Sequence, residues 1–177
     1  MAIRQIVTVP NLILDKPCQK VTEINSEIKE MVQDLKDTLA ASKVPGAGLA
    51  ANQVGINKQI CIVREFIPTE KDNEETFREY VLINPVIKAP SKKEALDWEG
   101  CLSIPDTFGL VNRLKKLKVE ALDENGRKVS LNAEGFFART IQHEVDHLNG
   151  ILFTSKVIGS TKTEKELDDL YDSKKLG

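Results

Sequence analysis

Residues 134–150 read EGFFARTIQHEVDHLNG, and this stretch decides how the rest of the chain is organised. Phe136, Phe137, Thr140, Ile141 and Leu148 recur at the spacing of a helix with one apolar side, and Asn149-Gly150 is a stop signal. The pattern predicts a helix from about Glu134 to Leu148. Just upstream, residues alternate from Leu117 to Leu131 around Asp123-Glu-Asn-Gly126, where Asn125-Gly126 supplies the positive φ of a tight turn. A hairpin therefore feeds the helix. The runs Gln59–Arg64 and Tyr80–Asn84 are short and β-branched and read as strands, with the charged stretch Thr69–Glu75 as a solvated loop between them. From Ser26 to Ser42, Ile28, Met31, Val32, Leu35 and Leu39 mark an amphipathic helix capped by Asn25 or Ser26. Beyond the central helix, Ile151–Thr154 reads as a short strand and Lys162–Leu170 as a terminal helix. Strands that follow one another through hairpins, with few helices between them, imply an α+β fold. Its mixed or antiparallel sheets would pack around the helix of residues 134–148, which excludes a doubly wound parallel sheet.

The chain has 177 residues, enough for one domain over 1–177 and too few for two ordinary ones. Its 41% hydrophobic and 29% charged residues lie well away from the compositions that stay disordered. A formal charge of -2 does not suit a surface built to neutralise phosphates, so direct DNA binding is not expected. Apolar runs fall far short of the roughly 20 residues needed to span a bilayer, and the N-terminus lacks a secretory pattern. Neither a membrane nor export is indicated, and the cytoplasm is the expected location. Three cysteines at irregular spacing do not form a disulfide framework, which agrees with a reducing compartment.

The chemistry is concentrated in Gln142-His-Glu-Val-Asp-His147. On a helix, His143 and His147 lie about 40° apart around the axis and one turn apart along it, so both imidazoles can reach one metal ion. Glu144 then stands where a carboxylate can accept a proton from water without itself binding the metal. An isolated histidine pair of this spacing is more often a surface feature. Here, however, the chain holds only these 2 histidines, and both fall in one turn. A catalytic site needs a third protein ligand. Cys18, Cys61 and Cys101 all lie upstream. Cys61 alternates with Ile60 and Ile62 and suits a core, Cys18 follows Pro17 in a polar segment, and Cys101 follows a glycine that permits close backbone approach. The spacing favours Cys101 without deciding it. A ligand taken downstream, Glu164 or Glu166, would instead make a zinc endopeptidase, and a purely structural site would need four ligands. Pro45-Gly-Ala-Gly-Leu-Ala-Ala-Asn-Gln53 suits a tight turn or a backbone laid against a ligand. It lacks the ending of a phosphate loop. Gln53 is either a surface amide or an N–H donor to a developing oxyanion.

Together, Gly46-Ala-Gly-Leu-Ala-Ala-Asn-Gln53, Glu99-Gly-Cys-Leu-Ser103 and Gln142-His-Glu-Val-Asp-His147 resemble the three signature segments of peptide deformylases, in the same order and at similar separations. The resemblance also takes in Leu82-Ile-Asn-Pro85 and the hairpin before the last segment. It implies a metal-dependent hydrolase that removes the N-formyl group from the methionine starting a nascent polypeptide. Cys101, His143 and His147 would be the metal ligands, Glu144 the acid/base, and Gln53 and the Leu102 N–H the oxyanion donors. Gly48 would lie against the substrate, with Ala47, Phe136 and Thr140 around its methionine. The family implies one divalent cation, natively Fe(II), with zinc, nickel or cobalt satisfying the same ligands. It also implies a monomer in transient contact with the ribosome. The tail from Lys162 to Gly177 carries four lysines against five acidic residues, which does not make a basic ribosome-docking helix. Arg113 and Glu99 are expected to pair behind the cysteine and hold its loop.

Overall fold

The computed structural model describes residues 2–42, 46–68, 76–88 and 92–175. The central helix forms as α2, Gly135–Leu148, and follows directly from the hairpin of β6 (Lys116–Leu122) and β7 (Lys128–Glu134). Upstream lie α1 (Ser26–Ala40), β1 (Gly48–Ala50), β2 (Ile60–Ile67), β3 (Thr76–Lys88), β4 (Glu94–Cys101) and β5 (Ile104–Leu114), and α3 (Glu164–Lys175) is last. One sheet has the order β1-β2-β3-β6-β7 and a second consists of β4 and β5. Every strand pairing is antiparallel.

Both faces of the larger sheet are covered, which explains why Ile60-Cys-Ile-Val63 is an unbroken apolar run. Ile60 and Ile62 pack with Val32, Leu35 and Leu39 of α1. Cys61 and Val63 point the other way, against Phe137, Ala138 and Ile141 of α2. The two helices clamp the same strand from opposite sides. At the end of α2, Gly150 takes φ 71°, and a Cβ there would come within 2.6 Å of the Lys16 backbone, so the helix stop is also a packing requirement.

Several expectations need revision. Asn25 is the cap of α1, its Oδ1 accepting the Ile28 N–H at 3.1 Å, but the helix ends at Ala40, two residues before Ser42. Residues 151–154 do not make a strand. Phe153–Lys156 is a short 3-10 turn in which Phe153, 1% exposed, plugs the space beside Ile104 and Val111. The apolar run there is an anchor, and Val157 makes the bridge to Val111 instead. The terminal helix starts at Glu164, because Thr163 caps it through reciprocal contacts with Glu166. The stretch Thr69–Glu75 lies outside the described residues. The β4–β5 hairpin was not anticipated, since Gly100, Pro105 and Gly109 disguise its alternation.

Strand β3 changes register between Ile83 and Val86, and Asn84 there adopts φ 51°. Its side chain closes the bulge by accepting the Val21 N–H at 2.9 Å and donating to the Val21 carbonyl at 2.8 Å. Asn tolerates this left-handed conformation better than residues with other side chains. Asn84→Ala loses both bonds and that tolerance, and it should lower unfolding free energy by about 2–3 kcal/mol in urea titration. A loss under about 0.5 kcal/mol would mean that the bulge does not depend on this side chain.

Candidate metal centre and substrate cleft

Helix α2 projects His143 and His147 from adjacent turns toward Cys101, the last residue of β4. Cys101 Sγ lies 3.2 Å from His147 Nε2, which lies 3.2 Å from His143 Nε2. The three donor atoms all fall within 4.8 Å of one another. Tetrahedral coordination with metal–nitrogen distances of about 2.0–2.1 Å and metal–sulfur of about 2.3 Å puts such donors about 3.3–3.6 Å apart. The arrangement therefore fits one divalent first-row ion. His143 turns its other nitrogen to Glu99 Oε2 at 3.0 Å, which sets its ring and tautomer so that Nε2 faces the cluster.

Glu99 is 6% exposed and is held from three sides. Arg113 donates to both of its oxygens at 2.8 and 2.9 Å, and Arg139 donates to Oε1 at 2.7 Å. Burial alone would raise its carboxyl, but the bonds from Arg113 and His143 outweigh that and hold it far below the usual carboxylate range. Arg113 also reaches Asp146, which in turn binds Lys156 at 2.7 Å. Behind the Cys101–His143–His147 cluster there is thus a chain of paired charges.

The two imidazoles have opposite electrostatic surroundings. Burial pulls His143 down, but Cys101 and Glu99 outweigh it and hold the ring up to about 10. Burial, and then the His143 charge, push His147 well below the ordinary range. A bound cation would take the place of the proton on His143, satisfying the thiol and both rings together.

Glu144 stands apart from this network. Burial pushes its carboxyl up to about 7, and among the described residues Oε2 has no hydrogen-bond partner. Its other oxygen occupies the space where a Cβ on Gly48 would sit, 2.6 Å away, so Gly48 is needed to make room for Glu144. Gln53, 2% exposed, accepts the Ala50 N–H through Oε1 at 2.9 Å. That fixes the amide, turning its NH2 toward Ser103 Oγ at 3.2 Å and Cys101 Sγ at 3.5 Å. Leu102 follows in the turn joining β4 and β5. A cleft of about 490 Å³ opens over these residues, with Gly46, Ala47, Gly48 and Leu102 among its walls and Phe136 and Thr140 on α2.

The ten site residues expected from the sequence come together in this one cleft or in the cysteine–histidine cluster beside it. The Arg113–Glu99 pair forms as expected. Cys61 is fully buried, as a core thiol should be. Cys18 is not a thiol in a polar segment, because it packs beside Cys61 at 6% exposure and burial raises it to about 11. Glu166 is engaged with Thr163, and Glu164 lines the cleft without joining the ligand cluster, so the endopeptidase arrangement does not form. Sequence reading missed Arg139, Ser103 and Asp146. Arg139 carried the one available signal, a charge on the otherwise apolar side of α2.

An antiparallel α+β fold whose helix carries two of three converging metal donors, with a buried carboxylate beside them, defines a metal-dependent hydrolase. The family model described as polypeptide deformylase matches residues 3–163, and the chain belongs to that family. A peptide deformylase of Symbiobacterium thermophilum is 43% identical over 157 residues, covering 88% of this chain and 67% of that protein. Peptide deformylase 1 of Bacillus subtilis is 39% identical over 170 residues, covering 96% and 99%. The crystal structure of peptide deformylase from Ehrlichia chaffeensis superposes with a TM-score of 0.79 at 33% identity, over 95% of this chain and 92% of that one. The enzyme removes the N-formyl group from the methionine that begins new proteins.

Glu99→Gln keeps the shape and removes the charge that Arg113 and Arg139 share. Arg139 would then lack its carboxylate and Arg113 would keep only Asp146, so thermal or urea unfolding should show a loss of about 3–5 kcal/mol. The sign with pH follows from the depressed carboxyl. Its contribution is complete above the unfolded value of about 4.3 and is lost as pH falls through the lower folded value. Glu99→Gln should lack that acid-dependent portion, and an unchanged acid limb would count against the assignment.

Proposed function

We propose that Cys101, His143 and His147 hold one divalent ion, Fe(II) natively, and that Glu144, Gln53 and the Leu102 N–H carry out deformylation around it. Zinc, nickel or cobalt would satisfy the same thiolate and imidazoles. The observation that carries this reading is the buried, unpartnered Oε2 of Glu144 next to three converging donors. When bound, the ion supplies Lewis acidity, making water nucleophilic near neutral pH and polarising the formyl carbonyl.

Glu144 receives the proton that the attacking water gives up, then delivers it to the departing α-amino group. With Oε2 unpartnered among the described residues and little solvent around it, it exchanges that proton at small reorganisation cost. Gln53 aims its amide N–H at the oxygen that gains charge, with the orientation set by Ala50 and Ser103. The Leu102 N–H is the second donor. Gly48 admits Glu144 to the cleft wall and keeps the approach narrow, which favours the small formyl group. Ala47, Phe136 and Thr140 surround the methionine side chain. Among the described residues, no helix is long and apolar enough to cross a membrane. We place the enzyme in the cytoplasm as a monomer that meets formylated chains at the ribosome only transiently.

Glu144→Gln should bind as much metal as the parent while formate release from formyl-Met-Ala-Ser falls by about 10²- to 10⁴-fold. Parallel loss of metal would make Glu144 a ligand and sink its role as base. Because the base must be ionised, kcat/KM should rise with pH along an acid limb at or below about 7. A nearby cation favours the carboxylate and moves that limb down. Metal analysis after purification without oxygen should find about one iron per chain with Fe(II) native. Recovery of zinc alone with full activity would refute that part.

A further inference from the structure

On one side the cleft runs into a row of exposed aromatic rings. Phe136, in the first turn of α2, lines the cleft and is 58% exposed. Its ring centroid lies 6.1 Å from that of Phe66 on β2, and Phe66 lies 6.2 Å from Phe77 on β3. Phe66 and Phe77 are cross-strand partners, 38% and 41% exposed. Arg64 ties this row to Gly46 and Ala47, which also line the cleft. Its guanidinium lies over Phe77, 4.3 Å from the centroid, while its backbone N–H donates to the Ala47 carbonyl at 2.7 Å and its Nη1 reaches the Gly46 carbonyl at 3.5 Å.

Toward the molecular centre the same two strands bury their apolar residues completely. A contiguous patch of exposed rings continuous with a substrate cleft is the kind of surface that marks a binding site. The rings hold one another in edge and tilted contacts, so covering them costs little further ordering. Their spacing also matches a peptide. An extended chain advances about 3.3 Å per residue, so each ring-to-ring step spans about two residues. With methionine beside Phe136, the third residue falls at Phe66 and the fifth at Phe77.

We propose that Phe66 and Phe77 extend the substrate cleft and receive an aromatic or large aliphatic side chain at the third or fifth position of the formylated chain. This rests on the cleft being the deformylation site. The other end of the cleft presents Asp106 and Glu164, so a peptide leaving by that route would favour lysine at the same positions.

The test compares kcat/KM for formyl-Met-Ala-Ser, formyl-Met-Ala-Phe-Ala-Leu and formyl-Met-Ala-Lys-Ala-Lys, using the metal-loaded enzyme and its Phe66→Ser, Phe66→Leu and Phe77→Ser variants. The apolar pentapeptide should be preferred over the tripeptide by about 3- to 10-fold, chiefly through KM. Phe66→Ser and Phe77→Ser should erase that preference and leave the tripeptide rate unchanged, and Phe66→Leu should keep part of it. Tripeptide turnover reports on folding and on the deformylase reading itself. If the tripeptide is not deformylated by the parent enzyme, the underlying reading fails. If it is, and the apolar preference is absent or survives both serine variants, or the lysine peptide is preferred, the aromatic extension is wrong.

Discussion

The carboxylate of Glu99 is the constraint on which the rest of the structure depends. It leaves β4 two residues before Cys101, accepts Arg113 from the neighbouring strand β5, and accepts Arg139 and His143 from α2. One buried anion therefore fixes the smaller sheet to the central helix at the point where the thiol must meet the imidazoles. A carboxylate so deeply buried would ordinarily neutralise itself. Two guanidinium groups prevent that, each of them also buried, so that removing Glu99 would leave Arg139 without a carboxylate and Arg113 with Asp146 alone. The network contributes position more than net stability. An apolar cluster of equal volume could hold the sheet, but it would not hold the His143 ring at a set angle.

Glu144 lies one residue from His143 and behaves oppositely because its surroundings are opposite. Both Glu99 and Glu144 are buried, but only Glu99 has cations in hydrogen-bond contact. Burial with strong partners lowers one carboxyl, and burial without them raises the other to about 7. Two glutamates in one small volume thus divide into a permanent anion that orients and a group able to exchange protons near neutral pH. On α2, His143 turns toward Glu99 while Glu144, about 100° further round the helix, packs beside Gly48 instead.

Much of this was legible in the chain because it was local. The 3.6-residue pattern of residues 134–148, the Asn125-Gly126 turn and the Asn25 cap each depend on neighbours in sequence, and the helix and hairpin form where those signals lie. The His143–Glu144–His147 unit is likewise a property of one turn. What could not be read was set by distant partners. Phe153 reads as a strand residue, but a gap beside Val111 takes it as a plug. Cys18 reads as polar by its neighbours, yet it is buried because its backbone binds the Leu148 carbonyl at the end of α2. Arg139 signals only a charge in an odd place, and its purpose appears once β4 and β5 fold back over it. The β4–β5 hairpin carries Cys101 but is weakly patterned, because its bulge and glycines serve the cleft at the expense of regular alternation.

Gly48 shows why the site's residues cannot be weighed one at a time. Its role could be read as closeness to substrate, yet the space beside its Cα belongs to Glu144, whose carboxylate would meet a Cβ at 2.6–2.8 Å. Strand β1 is only three residues long, and Gly48 is the residue that lets it approach α2. Any side chain there would push either the strand or the carboxylate away. The strand is held by its pairing with Val63, and Glu144 by the helix that also carries both histidines. Relief would come either from opening the β1–β2 pairing or from turning the Glu144 carboxylate out of its place in the cleft wall. A residue with no side chain is therefore tied to the placement of the buried Glu144 carboxylate, and the cleft is narrow at this point because of how that carboxylate is packed.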